Sequence, residues 1–177
     1  MTSAMRNRLA FPVSYAAAHY TDTVAVSWLT PNEMRAWRAF IQTEAHLRTA
    51  LEADLTPYGL TSGDYEVLVV LSEAPDRRMR MCDLASRLGL TPSGLTRRLD
   101  GLVKAHQVER SPSTCDRRVM LAGVTELGVQ AMAAASEAHV ASVRLHLIDR
   151  LSPEQIQALG DIFVAVGNGL GRQLTVI

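Results

Sequence analysis

A chain of 177 residues with 18 basic and 18 acidic side chains, 47% hydrophobic and 5% aromatic, has room for one domain or for a module on an oligomerisation layer. No apolar run reaches the roughly 20 residues of a membrane span, and Pro12, Tyr15 and His19 break up any signal-peptide core. Cys82 and Cys115 fit neither a disulfide framework nor a metal cluster, so a reduced, cytoplasmic protein is expected.

Residues up to about Ser27 show no sustained periodicity, and residues 1–29 read as a tail or a strap. At Thr30 the pattern sharpens. Thr30 suits an N-cap, Pro31 the first helical position and Glu33 a capping box. Met34, Trp37, Phe40, Ile41, Leu47, Leu51 and Leu55 then recur at three- and four-residue steps, predicting a long amphipathic helix that ends before Pro57. A second helix is expected from Ser62, burying Tyr65, Leu68, Val69 and Leu71 and ending at Pro75-Asp76. Arg77 to Met81 is too short for a helix and reads as a small strand.

Cys82 to Leu88 predicts a short helix packed through Leu84, Ala85 and Leu88, with Gly89 at the left-handed position after it. Thr91 caps the next helix and Pro92 opens it, so the turn is specified from both sides. Leu95, Leu99, Leu102 and Val103 form its inner stripe, leaving Ser93, Gly94, Thr96, Arg97, Arg98 and Lys104 to face elsewhere. Val108 to Leu121 reads as a hairpin with a long loop. Thr125 caps a helix carried to Leu151 through Val129, Met132, Val140, Val143 and Leu147. Ser152-Pro153-Glu154-Gln155 repeats the cap logic for a last helix through Ile156, Leu159, Ile162, Phe163, Val166 and Leu170.

Net charge is zero, yet between Arg77 and Arg118 ten basic residues face four acidic ones. A polyanion responds to the local field more than to the sum. Arg97 and Arg98 stand about 100° apart on their helix, and arginine pairs bidentately with guanine in the major groove. Ser93, Gly94 and Thr96 share the early turns from which reading helices touch bases. Lys104, Arg110, Arg117 and Arg118 extend the basic surface, and an arginine past the hairpin tip suits a minor groove. Asp116 is placed to brace such a guanidinium. The candidate DNA-binding set is therefore Ser93, Gly94, Thr96, Arg97, Arg98, Lys104, Arg110, Asp116, Arg117 and Arg118.

LASRLGLTPSGLTRRLDGLVK, followed by VERSPSTCDRRVMLAGVTELG, resembles the MarR family of winged helix-turn-helix transcription factors over about Pro31 to Leu174. The most specific feature is Asp116-x-Arg118 with Val124-Thr125-x-x-Gly128 after it. The resemblance implies a homodimer joined by terminal helices, two reading helices on a palindromic site, a wing arginine in the minor groove, and ligands held between reader and dimer layer. Two departures stand out. Gln107 occupies the place assigned to the family's glycine before the wing, and the N-terminal segment is longer than common.

The expected fold is mainly α with a small β-hairpin wing. Residues 57–124 form the winged helix-turn-helix reader, and residues 30–56 and 125–177 form a helical dimerisation layer. The expected function is that of a dimeric, sequence-specific transcriptional regulator of double-stranded DNA, a repressor released by a small ligand. Met34, Trp37, His46 and Tyr65 are the candidate ligand contacts. A winged-helix interaction module that does not read DNA, or a thiol sensor using Cys82 or Cys115, are the alternatives. His19, His46, His106, His139 and His146 are scattered without metal-ligand spacing. No nucleophile–base pair or phosphate loop appears at interpretable spacing, so neither enzyme activity, a metal nor a cofactor is expected.

Overall fold

The computed structural model describes residues 27–170. The tail expected over residues 1–29 therefore lies almost wholly outside them, as does the chain beyond residue 170. The chain divides into two compact units, Met1–Trp37 and Arg38–Ile177. In the first, the Thr30 N–H donates to the Glu33 carboxylate at 2.7 Å, and the Glu33 N–H donates back to Thr30 Oγ1 at 3.4 Å. This capping box opens helix α1 (Pro31–Leu55).

In the second unit, α2 (Ser62–Ser72) starts from a further box in which Thr61 and Asp64 exchange hydrogen bonds. Its buried residues are Val67, Leu68, Val70 and Leu71, whereas Val69 and Tyr65 are only half-buried. The expected face was thus rotated. A helix apolar almost all round carries too little contrast for periodicity to point it. The chain then turns through Asp76 and Arg77, both with positive φ, into β1 (Arg78–Arg80).

The helix-turn-helix follows as α3 (Met81–Arg87) and α4 (Pro92–Lys104). Gly89 takes φ 68° at the turn, and Leu90 N–H reaches back to the Ala85 carbonyl at 2.8 Å, a Schellman-type closure. Strands β2 (Val108–Pro112) and β3 (Met120–Val124) form the wing stem. The sheet order is β1-β3-β2, antiparallel throughout, so the small strand expected at Arg77–Met81 does pair with the hairpin. Arg78, Gly123 and Glu109 lie in register across the three strands, and Arg78 ion-pairs with Glu109 at 2.6 Å. A Cβ at Gly123 would come within 2.9 Å of Arg78 Cγ. The missing side chain lets Arg78 cross the middle strand.

Helix α5 (Glu126–His146) is capped by Thr125 and ends earlier than expected. Leu147 leaves the helical region, and Ile148–Arg150 make a single 3₁₀ turn. Arg144 pairs with Asp149 at 2.6 Å, and Arg150 Nε donates to the Leu145 carbonyl at 2.9 Å. These local bonds compete with continuation to Leu151. Helix α6 (Pro153–Gly169) opens on the Ser152–Gln155 capping box.

The core consists of Leu55, Leu60, Val67, Leu68, Val70, Leu71, Leu84, Ala85, Leu95, Leu99, Leu102, Val108, Ala122, Val124 and Ala135. Every member lies between residues 55 and 135, so among the described residues the hydrophobic stabilisation is concentrated around the winged helix-turn-helix. The long helices differ. Phe40 meets Phe163 with ring centroids 6.1 Å apart, yet Phe40, Ile41, Ile156, Ile162, Phe163 and Val166 all remain exposed. Val140, expected on the inner stripe of α5, is 55% exposed.

Candidate nucleic-acid interface

The site is built on α4. Thr91 Oγ1 accepts the Gly94 N–H at 3.1 Å, and Pro92 holds the first position. Leu95, Leu99 and Leu102 seat the helix in the core, which turns Ser93, Thr96, Arg97 and Lys104 to solvent. Ser93 Oγ stays within 3.3 Å of Thr91 Oγ1. Thr96 Oγ1 donates to the Pro92 carbonyl at 3.0 Å, which leaves its lone pairs outward. Arg97 is exposed and makes no ion pair or side-chain hydrogen bond among the described residues.

Two arginines of the expected set turn inward. A Cβ at Gly63 would overlap the Arg98 guanidinium, so Arg98 lies on the start of α2, half-buried, and does not project beside Arg97. Arg110 also turns in. Its Nη2 donates to the Thr96 carbonyl at 2.8 Å and to Asp100 Oδ1 at 2.9 Å, with only 26% of its side chain exposed. Arg110 joins the wing stem to the reading helix. It is a brace in this chain, not an outward contact.

The ten basic residues are thus sorted by structure. Arg77 pairs with Glu126, Arg78 with Glu109, Arg87 with Glu73 and Arg110 with Asp100. Arg80, Arg97, Lys104, Arg117 and Arg118 are exposed, without an ion pair among the described residues. Such cations are available to a polyanion. Arg117 and Arg118 sit beyond the wing tip, where Asp116 Oδ1 accepts the Arg118 backbone N–H at 3.0 Å. The brace expected from Asp116 acts on the backbone of the turn rather than on a guanidinium. The Ser113 N–H donates to the Val119 carbonyl at 2.8 Å and closes the loop base.

The junction before the wing also differs from expectation. The left-handed residue is His106, at φ 57°, not Gln107. The carbonyls of His106 and Gln107 accept the Thr125 hydroxyl at 2.7 and 3.2 Å, and the Gln107 carbonyl takes the Thr125 N–H at 3.0 Å. Gly128 lets α5 dock there, since a Cβ would fall 2.2 Å from the Gln107 carbonyl oxygen.

Of the candidate ligand contacts, Met34 is half-buried and Trp37 exposed on α1 in the first unit. His46 is exposed on α1 and makes no ring contact with Tyr65 among the described residues. The Tyr65 ring packs instead on His139 of α5, centroids 4.6 Å apart. Burial pushes the Tyr65 phenol up and the His139 imidazole down. His139 Nδ1 and Ser142 Oγ are both buried without a hydrogen-bond partner among the described residues. Their spacing of three puts them on one face of α5, a pairing that scattered histidines did not suggest. A cleft of about 570 Å³ opens elsewhere, between β1, α3 and the wing. Cys82 and Cys115 are both exposed free thiols.

A model of the MarR family matches residues 60–120. AbsC, a MarR family transcriptional regulator from Streptomyces coelicolor, is 40% identical, with a TM-score of 0.78 over 82% of this chain and 98% of that one. Another MarR family transcriptional regulator of the same organism, solved in complex with DNA, is 34% identical, with a TM-score of 0.80 over 84% and 93% of the two chains. The HTH-type transcriptional repressor YetL of Bacillus subtilis (strain 168) is 28% identical over 109 residues. That match spans 59% of this chain and 65% of the repressor, slightly under two thirds of its length.

Proposed function

This chain belongs to the MarR family, and from that premise we propose that it is a dimeric, sequence-specific DNA-binding transcriptional regulator, a repressor whose grip on DNA is weakened by a small ligand. The observation that carries the reading is the sorting of charge. Arg97 on a capped, core-seated helix and Arg117 and Arg118 on the adjoining wing carry no ion pair among the described residues, while Arg77, Arg78, Arg87 and Arg110 are ion-paired. That arrangement suits a helix in the major groove with a wing on the neighbouring backbone or minor groove.

Ser93, Thr96 and Arg97 are the base-facing set. Lys104, Arg117 and Arg118 supply backbone and minor-groove charge, and Gly94 and Asp116 shape the helix start and the wing turn. The apolar faces left exposed on α1 and α6 are the dimer layer, since such surface on a stable monomer is uncommon. A two-fold dimer then reads half-sites about one DNA turn, roughly 10–10.5 bp, apart. For the ligand, Tyr65 with His139, whose buried Nδ1 has no hydrogen-bond partner among the described residues, is the proposed contact beside Met34, Trp37 and His46.

A randomised-site selection followed by retardation across a salt series tests the reading. Arg97→Ala should lose about 1–3 kcal/mol of discrimination for each bidentate base contact removed. Size in solution should be near twice the 19.3 kDa chain mass. Wild-type protein that gives no salt-sensitive shift on any selected duplex refutes the reading and leaves an interaction module in its place.

A further inference from the structure

On a helix seated by Leu95, Leu99 and Leu102, Arg97 and Arg98 occupy adjacent flanks yet meet different surroundings. Arg97 is exposed and Arg98 half-buried. The reason lies 35 residues earlier. Gly63 is the second residue of α2, it has no positive φ, and glycine is a poor helix former. Backbone conformation therefore gives no reason for glycine here, whereas space does. The volume a Cβ would fill is taken by the Arg98 guanidinium.

The neighbouring residue extends the contact to a third helix. The Ser62 N–H donates to the Glu52 carboxylate of α1 at 2.7 Å, in a partly buried position. Ser62 hydrogen bonds hold the Glu52 carboxyl below the usual carboxylate range, and the positive charges of Arg98 and Arg48 act in the same sense. The carboxylate also suits the positive end of α2. At Ser62–Gly63, then, α1 contributes an anion, α4 a cation, and α2 the backbone between them.

We propose that Arg98 is a positioning residue for DNA reading: seated on Gly63, next to the Ser62 N–H that holds the Glu52 carboxylate, it fixes the reading helix to α2 and, through that shared corner, couples it to the long helix α1, and so sets the direction in which Arg97 points. This rests on the regulator reading above. Arg98 itself touches neither base nor phosphate. Its effect on specificity passes through the orientation of α4, so Glu52, on another helix, must affect specificity too.

The test uses the full chain and the duplex recovered by selection, with a random duplex beside it. Gly63→Ala is the decisive variant, because it evicts the guanidinium while leaving Arg98, Glu52 and the net charge intact. Gly63→Ala, Arg98→Ala and Glu52→Gln should each lower the ratio of specific to non-specific affinity about 2- to 30-fold. The salt slope should not change, Arg98→Lys should recover part of the loss, and Arg98→Ala with Glu52→Gln should be no worse than either alone. A merely structural contribution would lower the unfolding temperature and leave that ratio untouched. A salt slope reduced by about one in Arg98→Ala, with Gly63→Ala silent, would place Arg98 on the phosphates and overturn the proposal. Additive losses, or none, would do the same. Absence of specific binding by the wild-type chain would instead refute the regulator reading. The Glu52–Arg98 tie is then judged by a thermal-unfolding cycle on the same four proteins without DNA, where additive midpoints overturn it.

Discussion

His106→Gly should stabilise this protein. The residue sits at φ 57°, a conformation that costs a side chain with a Cβ about 1–2 kcal/mol. Glycine removes that cost but adds about 0.4–1 kcal/mol of unfolded-chain entropy. The difference favours glycine by roughly 0.5–1 kcal/mol. Nothing else is lost with the ring, which is exposed and makes no hydrogen bond or ion pair among the described residues. The 2.7 Å bond at this position is accepted by the His106 carbonyl, which glycine keeps. For a chain of this length the gain corresponds to about 1–4 °C in the unfolding midpoint, readable by calorimetry. His106→Ala is the control, since it removes the ring and retains the strain, and it should lie within about 0.5 kcal/mol of wild type. A glycine variant that melts lower, or an alanine variant that gains as much, would refute the strain argument.

Arg110→Ala should cost about 1–2 kcal/mol of stability. In a thermal cycle with Asp100→Ala it should show a coupling of about 0.5–1 kcal/mol, and strict additivity would mean the two do not act together. Gly128→Ala brings a Cβ within 2.2 Å of the Gln107 carbonyl oxygen. It should destabilise by about 1–3 kcal/mol in urea titration, and an unchanged midpoint would show that α5 does not dock there as described. The His139 imidazole is held below its ordinary value of 6.5 by burial, so the unfolded chain takes up a proton first as pH falls. Stability is then full above about pH 6.5 and declines below it. His139→Phe should flatten that part of a midpoint-against-pH profile measured from pH 7.5 to 5.5, and an unaltered slope would exclude His139 as its source.

Helix starts were legible in the sequence because a cap is written within four residues. Thr30 with Glu33, Thr91 with Gly94, Thr125 with Gly128 and Ser152 with Gln155 all bond as local chemistry predicts. The three-residue strand at Arg78 was legible for a similar reason, being too short for a helix and close to a hairpin. Side-chain direction was not. Arg98 turns inward because of Gly63, and Arg110 because of Asp100 and Thr96, partners fixed only once the fold is formed. Helix α2 was misrotated because valine and leucine on every side leave no polar face to count from. Gln107 was put in the place of the family's glycine, whereas the left-handed residue is His106, because histidine in that conformation carries no local signal as strong as glycine's.

The sheet has a mechanical consequence. Strand β3 lies between its two neighbours and ends at Val124, Thr125 is the cap, and α5 begins at Glu126. No loop separates the wing from the helix, so the junction has no slack. Helix α5, with 21 residues, is about 31 Å long, and it is held along that length by Gly128 at Gln107, by Ala135 in the core and by His139 on Tyr65. The end of β3 and the start of α5 thus share one anchor, the carbonyls of His106 and Gln107, so neither can shift there without the other.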